Sequence, residues 1–189
     1  MADLIAQWQS EHANFSRLLD VLDEQMSAFH EGEVPLFGLM LDIVSYLREF
    51  SDALHHPRED ATFARLVIRD PALCLPVNRL LQEHRAIAVA GEELVARLNE
   101  AVIGNVTSRA TVEAAAALYL SYYRHHLAAE DREVLPRVAG LLTPEDWSIV
   151  ASAVAPVPDP LFGDAPHEAE AYSAYSELRE FLAARASAA

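Results

Sequence analysis

The residues best placed to do chemistry lie in two near-matching segments, Ala53-Leu54-His55-His56-Pro57-Arg58-Glu59-Asp60 and Tyr123-Arg124-His125-His126-Leu127-Ala128-Ala129-Glu130-Asp131. Each sets a histidine four residues before a carboxylate in apolar helical surroundings. On an α-helix, positions i and i+4 share a face one turn apart, so an imidazole nitrogen and a carboxylate oxygen can reach one point in space. A metal ion would occupy that point. His12, in Ser10-Glu11-His12-Ala13, and His84, in Gln82-Glu83-His84-Arg85, fall in two other expected helices and offer one nitrogen each. Four helices supplying histidine, histidine plus carboxylate, histidine, and histidine plus carboxylate form a dinuclear metal site in a bundle core.

Taken singly, each candidate has a plainer explanation. His12 shares a stripe with Trp8, Phe15 and Leu19, and His84 sits among Leu80, Leu81 and Ile87; a lone histidine in such a place is more often a hydrogen-bonded core residue. His126 differs, because its face also carries Glu130, with Tyr122 and Tyr119 one and two turns earlier. A carboxylate buried on an apolar face is costly unless it is paired or coordinated. In the second segment, spacing alone leaves two pairs open, His55 with Glu59 and His56 with Asp60. Aligning the segments on their acidic dipeptides favours His55 and Glu59, with His56 as an outer-sphere or substitute ligand and His125 on the surface. Mixed imidazole and carboxylate donors without thiolate suit iron, manganese or zinc.

Four long helices must position these groups. Apolar spacing is helical nearly throughout and no alternation suggests strands. Helices are expected from about Leu4 to Phe29, Leu36 to Ile68, Val77 to Val102, and Ser108 to Gly140, with Gly32 and Pro35 ending the first and Gly104 the third. Thr143-Pro144 reads as an N-cap followed by proline in the first turn, giving a short helix to about Ala155. Three prolines within Pro156-Val157-Pro158-Asp159-Pro160 impose irregular chain. A last helix is expected from His167 to about Ala184, docked on the outside. The fold class is therefore all-α, with residues 1–142 forming a metal-binding bundle and 143–189 a helical extension packed on it.

Composition narrows the partners. The 189 residues carry a formal net charge of −15, which argues against nucleic acid and anionic membrane as partners, since both are polyanions. The one cysteine, Cys74, excludes an intramolecular disulfide and fits a reducing compartment. The start lacks a basic n-region, and no apolar run approaches the ~20 residues of a membrane span. A cytoplasmic protein is expected, with a small molecule or another protein, including a second copy in a homodimer, as its partner.

The ordered set of His12, His55-His56-Pro57-Arg58-Glu59-Asp60, Glu83-His84 and His126-Leu127-Ala128-Ala129-Glu130-Asp131-Arg132-Glu133-Val134-Leu135-Pro136 resembles the hemerythrin-like (HHE cation-binding) domains over about Leu4 to Leu142. Thr143-Pro144-Glu145-Asp146-Trp147 and Asp159-Pro160-Leu161-Phe162-Gly163 are similar to the tail of a bacterial branch of that family. The resemblance implies an up-down-up-down four-helix bundle around two iron ions bridged by oxygen, as oxo or hydroxo, and by carboxylates. It makes Glu59 and Glu130 the bridges and His12, His55, His84 and His126 terminal ligands. Where oxygen-carrying members place a second histidine four residues after the first in the third helix, this chain has Ala88. That departure argues against reversible oxygen carriage and for reactivity at an open position.

Two function classes follow. The first is a non-haem di-iron protein that binds or reacts with dioxygen, peroxide or nitric oxide for sensing, scavenging or iron handling. The second is a module whose metal, iron or another divalent ion, is structural or sensed, and which signals to a protein partner without catalysis. A metal-free bundle would require four inward histidines and two inward glutamates to satisfy one another.

Overall fold

The computed structural model describes residues 2–103, 108–155, 157–163 and 175–188. Among them every regular element is helical. The first arm is α1, Ala2–His30. Its buried stripe of Trp8, His12, Phe15, Leu19, Leu22 and Met26 recurs every three or four residues, as the sequence predicts. The chain then turns at Gly32, whose φ of +94° lies in the left-handed region that glycine enters without steric cost.

The second arm is continuous but not uniformly α-helical. It comprises α2 (Phe37–Tyr46), a π-helical stretch (Leu47–His55) and α3 (His56–Arg69). After a 3-10 turn at Pro71–Leu73, α4 (Cys74–Val102) forms the third arm. It begins three residues before the expected Val77, because Pro76 falls in the first turn, where its missing N–H is no loss. The fourth arm repeats the second: α5 (Arg109–Ala129), a π-helical stretch (Glu130–Val134) and α6 (Leu135–Leu141). Ser108 caps α5 by accepting the Thr111 N–H. The packing of α1 on α5 and α2, and of α4 on α5 and α2, closes the up-down-up-down bundle.

Two apolar clusters fill the interior. One gathers Phe15, Leu22, Ile43, Leu47, Ile87, Leu94, Tyr119 and Tyr123. The other gathers Trp8, Phe63, Leu66, Leu80, Val134, Leu135, Val138 and Trp147. Every candidate ligand lies between these two clusters along its own arm, so the polar groups are walled by hydrocarbon above and below. No helix of the described residues is long and apolar enough to cross a membrane.

The extension is tied down by buried polar contacts. Helix α7, Pro144–Ala153, starts with a capping box in which the Thr143 hydroxyl accepts the Asp146 N–H and the Asp146 carboxylate accepts the Thr143 N–H. The fully buried Asp146 side chain also receives Arg65 (2.7 Å) and Arg69 (2.8 Å) from α3. Hydrogen bonds from Arg69 and the Thr143 backbone hold its carboxyl well below the usual range. Residues 157–163 are irregular, as their prolines require. Helix α8 runs Ser176–Ala188, extending past the expected Ala184, and buries Leu178 and Leu182 against the bundle. The expected start of this helix, residues 167–174, lies outside the described residues.

Asp146→Ala should strand two arginines beside an apolar wall and uncap α7. The expected outcome is a melting temperature several degrees lower by circular dichroism, with metal content unchanged. A thermal curve superimposable on wild type would show that the capping box does not hold the extension.

Candidate metal centre

The six residues expected as ligands, His12, His55, Glu59, His84, His126 and Glu130, are all buried and all converge. Two donor groups emerge. In the first, His12 Nε2 lies 3.0 Å from His55 Nε2 and 3.2 Å from Glu59 Oε1, while His55 Nε2 lies 2.7 Å from the same oxygen. In the second, His84 Nε2 lies 3.2 Å from His126 Nε2 and 3.5 Å from Glu59 Oε2. Glu59 thus turns one oxygen to each group. Glu130 is the second shared carboxylate, with Oε2 3.2 Å from His126 Nε2 and 3.8 Å from His12 Nε2.

Four carboxylates set the orientation of the four imidazoles. His12 Nδ1 donates to Asp131 (2.9 Å), His55 Nδ1 to Glu11 (2.5 Å), His84 Nδ1 to Asp60 (2.7 Å) and His126 Nδ1 to Glu83 (3.3 Å). An ionised carboxylate only accepts, so each Nδ1 is the protonated nitrogen and each Nε2 is directed inward. The pairs run in one rotational sense. Glu11 on the first arm holds the second, Asp60 on the second holds the third, Glu83 on the third holds the fourth, and Asp131 on the fourth holds the first. Sequence reasoning singled out none of these four as an orienting group. Their signal was adjacency, because each neighbours a candidate ligand in the chain.

The π-helical stretches explain why the helical wheel could not choose between His55 and His56. In a π turn the N–H of residue i+5 bonds the carbonyl of residue i, so a residue is added without leaving the helix. His55 ends the π stretch, His56 opens α3, and both are buried. His56 stacks on His84 with centroids 4.1 Å apart. One of its ring nitrogens lies within 4.8 Å of donor atoms of Glu59, His84 and His126. Nε2 nevertheless has another partner, Ser51 Oγ at 3.2 Å, and Nδ1 lies 3.3 Å from Asp52 Oδ1, which accepts no hydrogen bond. Asp60 belongs to neither donor group, being committed to His84.

Two expectations about the fourth arm divide. His125 is 62% exposed, as expected for a residue turned away from His126. Tyr122 is 41% exposed rather than facing inward. The buried stripe of Val112, Ala116, Tyr119, Tyr123, His126 and Glu130 steps by three and four in alternation, and 122 falls beside it. Tyr123 is the inward tyrosine, donating to Ser51 Oγ at 2.5 Å.

Whether these groups fit a cation can be tested on their unmet bonding. Glu59 Oε2 and both oxygens of Glu130 are buried and accept no hydrogen bond. Buried carboxylate oxygens without donors call for positive charge. Imidazole nitrogens whose partner nitrogens already carry the proton present lone pairs to one another, and lone pairs about 3 Å apart repel. Donor atoms around one ion with bonds near 2.1 Å stand about 3.0–3.4 Å apart, close to the separations found in both groups. The residues fit two cations.

Without metal, protons take that role. Burial pushes the His12 imidazole down, but Asp131 and Glu59 overcome it and raise its pKa to about 10. For His126, burial is overcome by Glu130 and Glu83, which raise it to about 9. Burial also opposes ionisation of Glu59, yet His55 and His12 hold its pKa well below the ordinary value. Glu130 is raised, by burial and then by the charge of Glu59.

Two outcomes follow. Metal uptake at pH 7 should release protons, because His12 and His126 must surrender theirs; calorimetry in buffers of differing ionisation enthalpy reads this directly. Each of these histidines has a folded pKa above its unfolded value near 6.5, so its stabilising contribution is complete below that pH. The metal-free fold should then lose stability as pH rises from about 7 to about 10, whereas metal-loaded protein should not. Uptake without proton release would contradict this electrostatic picture. In parallel, Glu59→Ala and Glu130→Ala should empty the site, while Asp131→Ala or Glu83→Ala should weaken metal retention by about 10–100-fold against a competing chelator. Equal loss from all four variants would mean that the shared carboxylates have no special place.

A family model for the hemerythrin HHE cation-binding domain matches residues 3–138. That span contains every residue of the two donor groups and of the orienting ring. No curated protein and no solved structure gives a match. With the match covering most of the chain, and with a buried histidine and glutamate cluster able to hold metal at its centre, the chain belongs to the hemerythrin HHE cation-binding family.

Proposed function

We propose that this protein holds two iron ions, one in each donor group, and that it reduces a small oxidant such as peroxide or dioxygen instead of carrying oxygen reversibly. His12, His55, Glu59, His84, His126 and Glu130 are the proposed ligands, with both glutamates shared between the ions. Bound there, iron supplies one-electron chemistry at each ion and a place for the oxidant to bind. The hard and intermediate donors of the set suit iron, and manganese or zinc would occupy the same groups.

The observation that carries this reading is a buried file of exchangeable protons leading to the second group. Tyr123 Oη donates to Ser51 Oγ, Ser51 faces His56 Nε2, and His56 Nδ1 faces Asp52. Both Asp52 oxygens are buried and accept no hydrogen bond, so the file ends at a carboxyl group held away from water. Burial raises the Asp52 carboxyl to about 7, so near neutral pH it can both hold and release a proton. An oxygen carrier excludes protons from its pocket, whereas reduction of an oxidant consumes them. His56, bonded to Ser51 through Nε2 and with Asp52 beside Nδ1, acts in this file as a relay and leaves the second ion an exchangeable position. Ala88, half-buried one turn beyond His84, adds no donor there.

Anaerobic loading with ferrous iron, followed by peroxide or oxygen under optical spectroscopy, tests the reading. About two ions per chain and irreversible oxidation are expected. His55→Ala should lose metal, while His56→Ala should keep it and react more slowly. A stable oxygen complex that releases intact gas through repeated cycles would restore the carrier reading. Metal that is retained but inert to peroxide, oxygen and nitric oxide would point to a structural or sensed ion.

A further inference from the structure

We propose that Trp8 and Trp147 form an electron relay joining the metal centre to the protein surface. The proposal rests on the di-iron reading above. These are the only tryptophans in the chain, and they touch. Their ring centroids are 6.0 Å apart at an interplanar angle of 59°. Trp8 also meets the edge of His55, at 6.3 Å and 69°. His55 in turn directs Nε2 into the first donor group. Trp147 is 7% exposed, and it stands on α7, beyond the span matched by the family model. The line His55, Trp8, Trp147 is thus a series of ring contacts running from the buried donors to solvent. Tunnelling falls exponentially with distance, so two hops between touching rings are far faster than one leap across the same span.

Packing alone does not explain a tryptophan at position 8. Its Nε1–H is buried with no acceptor, whereas buried indole N–H groups usually find one. Phenylalanine, which fills position 15 two steps along the same stripe, would occupy the place without a stranded donor. What indole adds is a ring that yields an electron more readily than benzene. The stranded N–H adds a second property. With no base to receive its proton, oxidised Trp8 remains a radical cation, and the hop moves an electron without a proton. Tyr119 and Tyr123, on the other side of the site, are fully buried and lead into the core.

The balance is as follows. Reduction of one hydroperoxide to alcohol and water takes two electrons and two protons, one electron from each ferrous ion. Resetting the ions requires two electrons, delivered singly. Each electron would pass from an external one-electron donor, an enediolate or a thiolate, by way of Trp147, Trp8 and His55 to the ferric site, the donor being oxidised by one electron and both indoles being left as they began. Two such passages complete the cycle.

The test drives the relay in reverse, on the full chain loaded anaerobically with ferrous iron. Photo-oxidised tris(bipyridine)ruthenium withdraws an electron from the surface, and transient absorption follows the tryptophan radical and the ferrous centre together. In wild type, the radical should decay as iron is oxidised, with one shared rate constant. Trp8→Phe should leave the Trp147 radical but slow its decay by about tenfold or more, and Trp147→Phe should slow iron oxidation by a similar factor. Tyr122→Phe, an exposed aromatic off the line, should change nothing. Electron paramagnetic resonance identifies the trapped radical as tryptophan, and circular dichroism with metal analysis checks that each variant is folded and loaded. If Trp8→Phe fails to fold, Trp147→Phe decides. Loaded iron with unchanged kinetics in the variants, or a radical residing on tyrosine, would overturn the relay and leave the di-iron reading standing. A chain that takes up no iron would overturn both.

Discussion

Two glutamates buried side by side in hydrocarbon constrain this protein more than any other feature. Glu59 and Glu130 have no access to water, and three of their four oxygens accept no hydrogen bond. Leaving such charges unpaired would cost more than a typical domain can spare. The histidines around them serve that need whether they carry protons or coordinate ions. The rest of the bundle follows: apolar layers on either side exclude competing water, and the orienting carboxylates stand outside the donor groups, where they fix the imidazoles without adding charge at the centre.

The orienting ring gives the site a mechanical property that its donor list does not convey. Every arm is both holder and held, so no helix can slide along its axis without turning an imidazole on the next. Glu11 is itself fixed by Arg58 at 2.8 Å and Gln7 at 2.9 Å, which returns the constraint to the first two arms. In an isolated bundle, registry between helices depends on side-chain interlocking that tolerates repacking. Here registry is also read by directional hydrogen bonds, which tolerate much less.

Much of this was legible in the chain. Period, caps and stops placed the four arms and α7 to within a few residues, because Gly32, Ser108, Thr143 and Pro144 act locally. The six inward donors were legible because polar residues on an apolar face are conspicuous. What was hidden depended on the third dimension. Glu11, Asp60, Glu83 and Asp131 look like ordinary solvated charges until the neighbouring helix is in place. Tyr122 and Tyr123 could not be ranked, since one step of the wheel separates a wet face from a dry one. Uniform α periodicity also concealed both π stretches, which no residue type announces.

Those π stretches bear on how the gene can vary. Because Leu47–His55 holds an extra residue within a continuous helix, it brings both His55 and His56 inside while Phe50 and Ser51 upstream remain buried. Deleting one residue there would return the arm to simple α geometry and turn everything before the deletion by about 100° relative to the donors. The same holds for Glu130–Val134, where α6 and the wall behind Glu130 would rotate away. Such segments accept exchange of one side chain for another far more readily than any change in length. Among descendants of this chain, the spacing of these two motifs should therefore drift less than their composition.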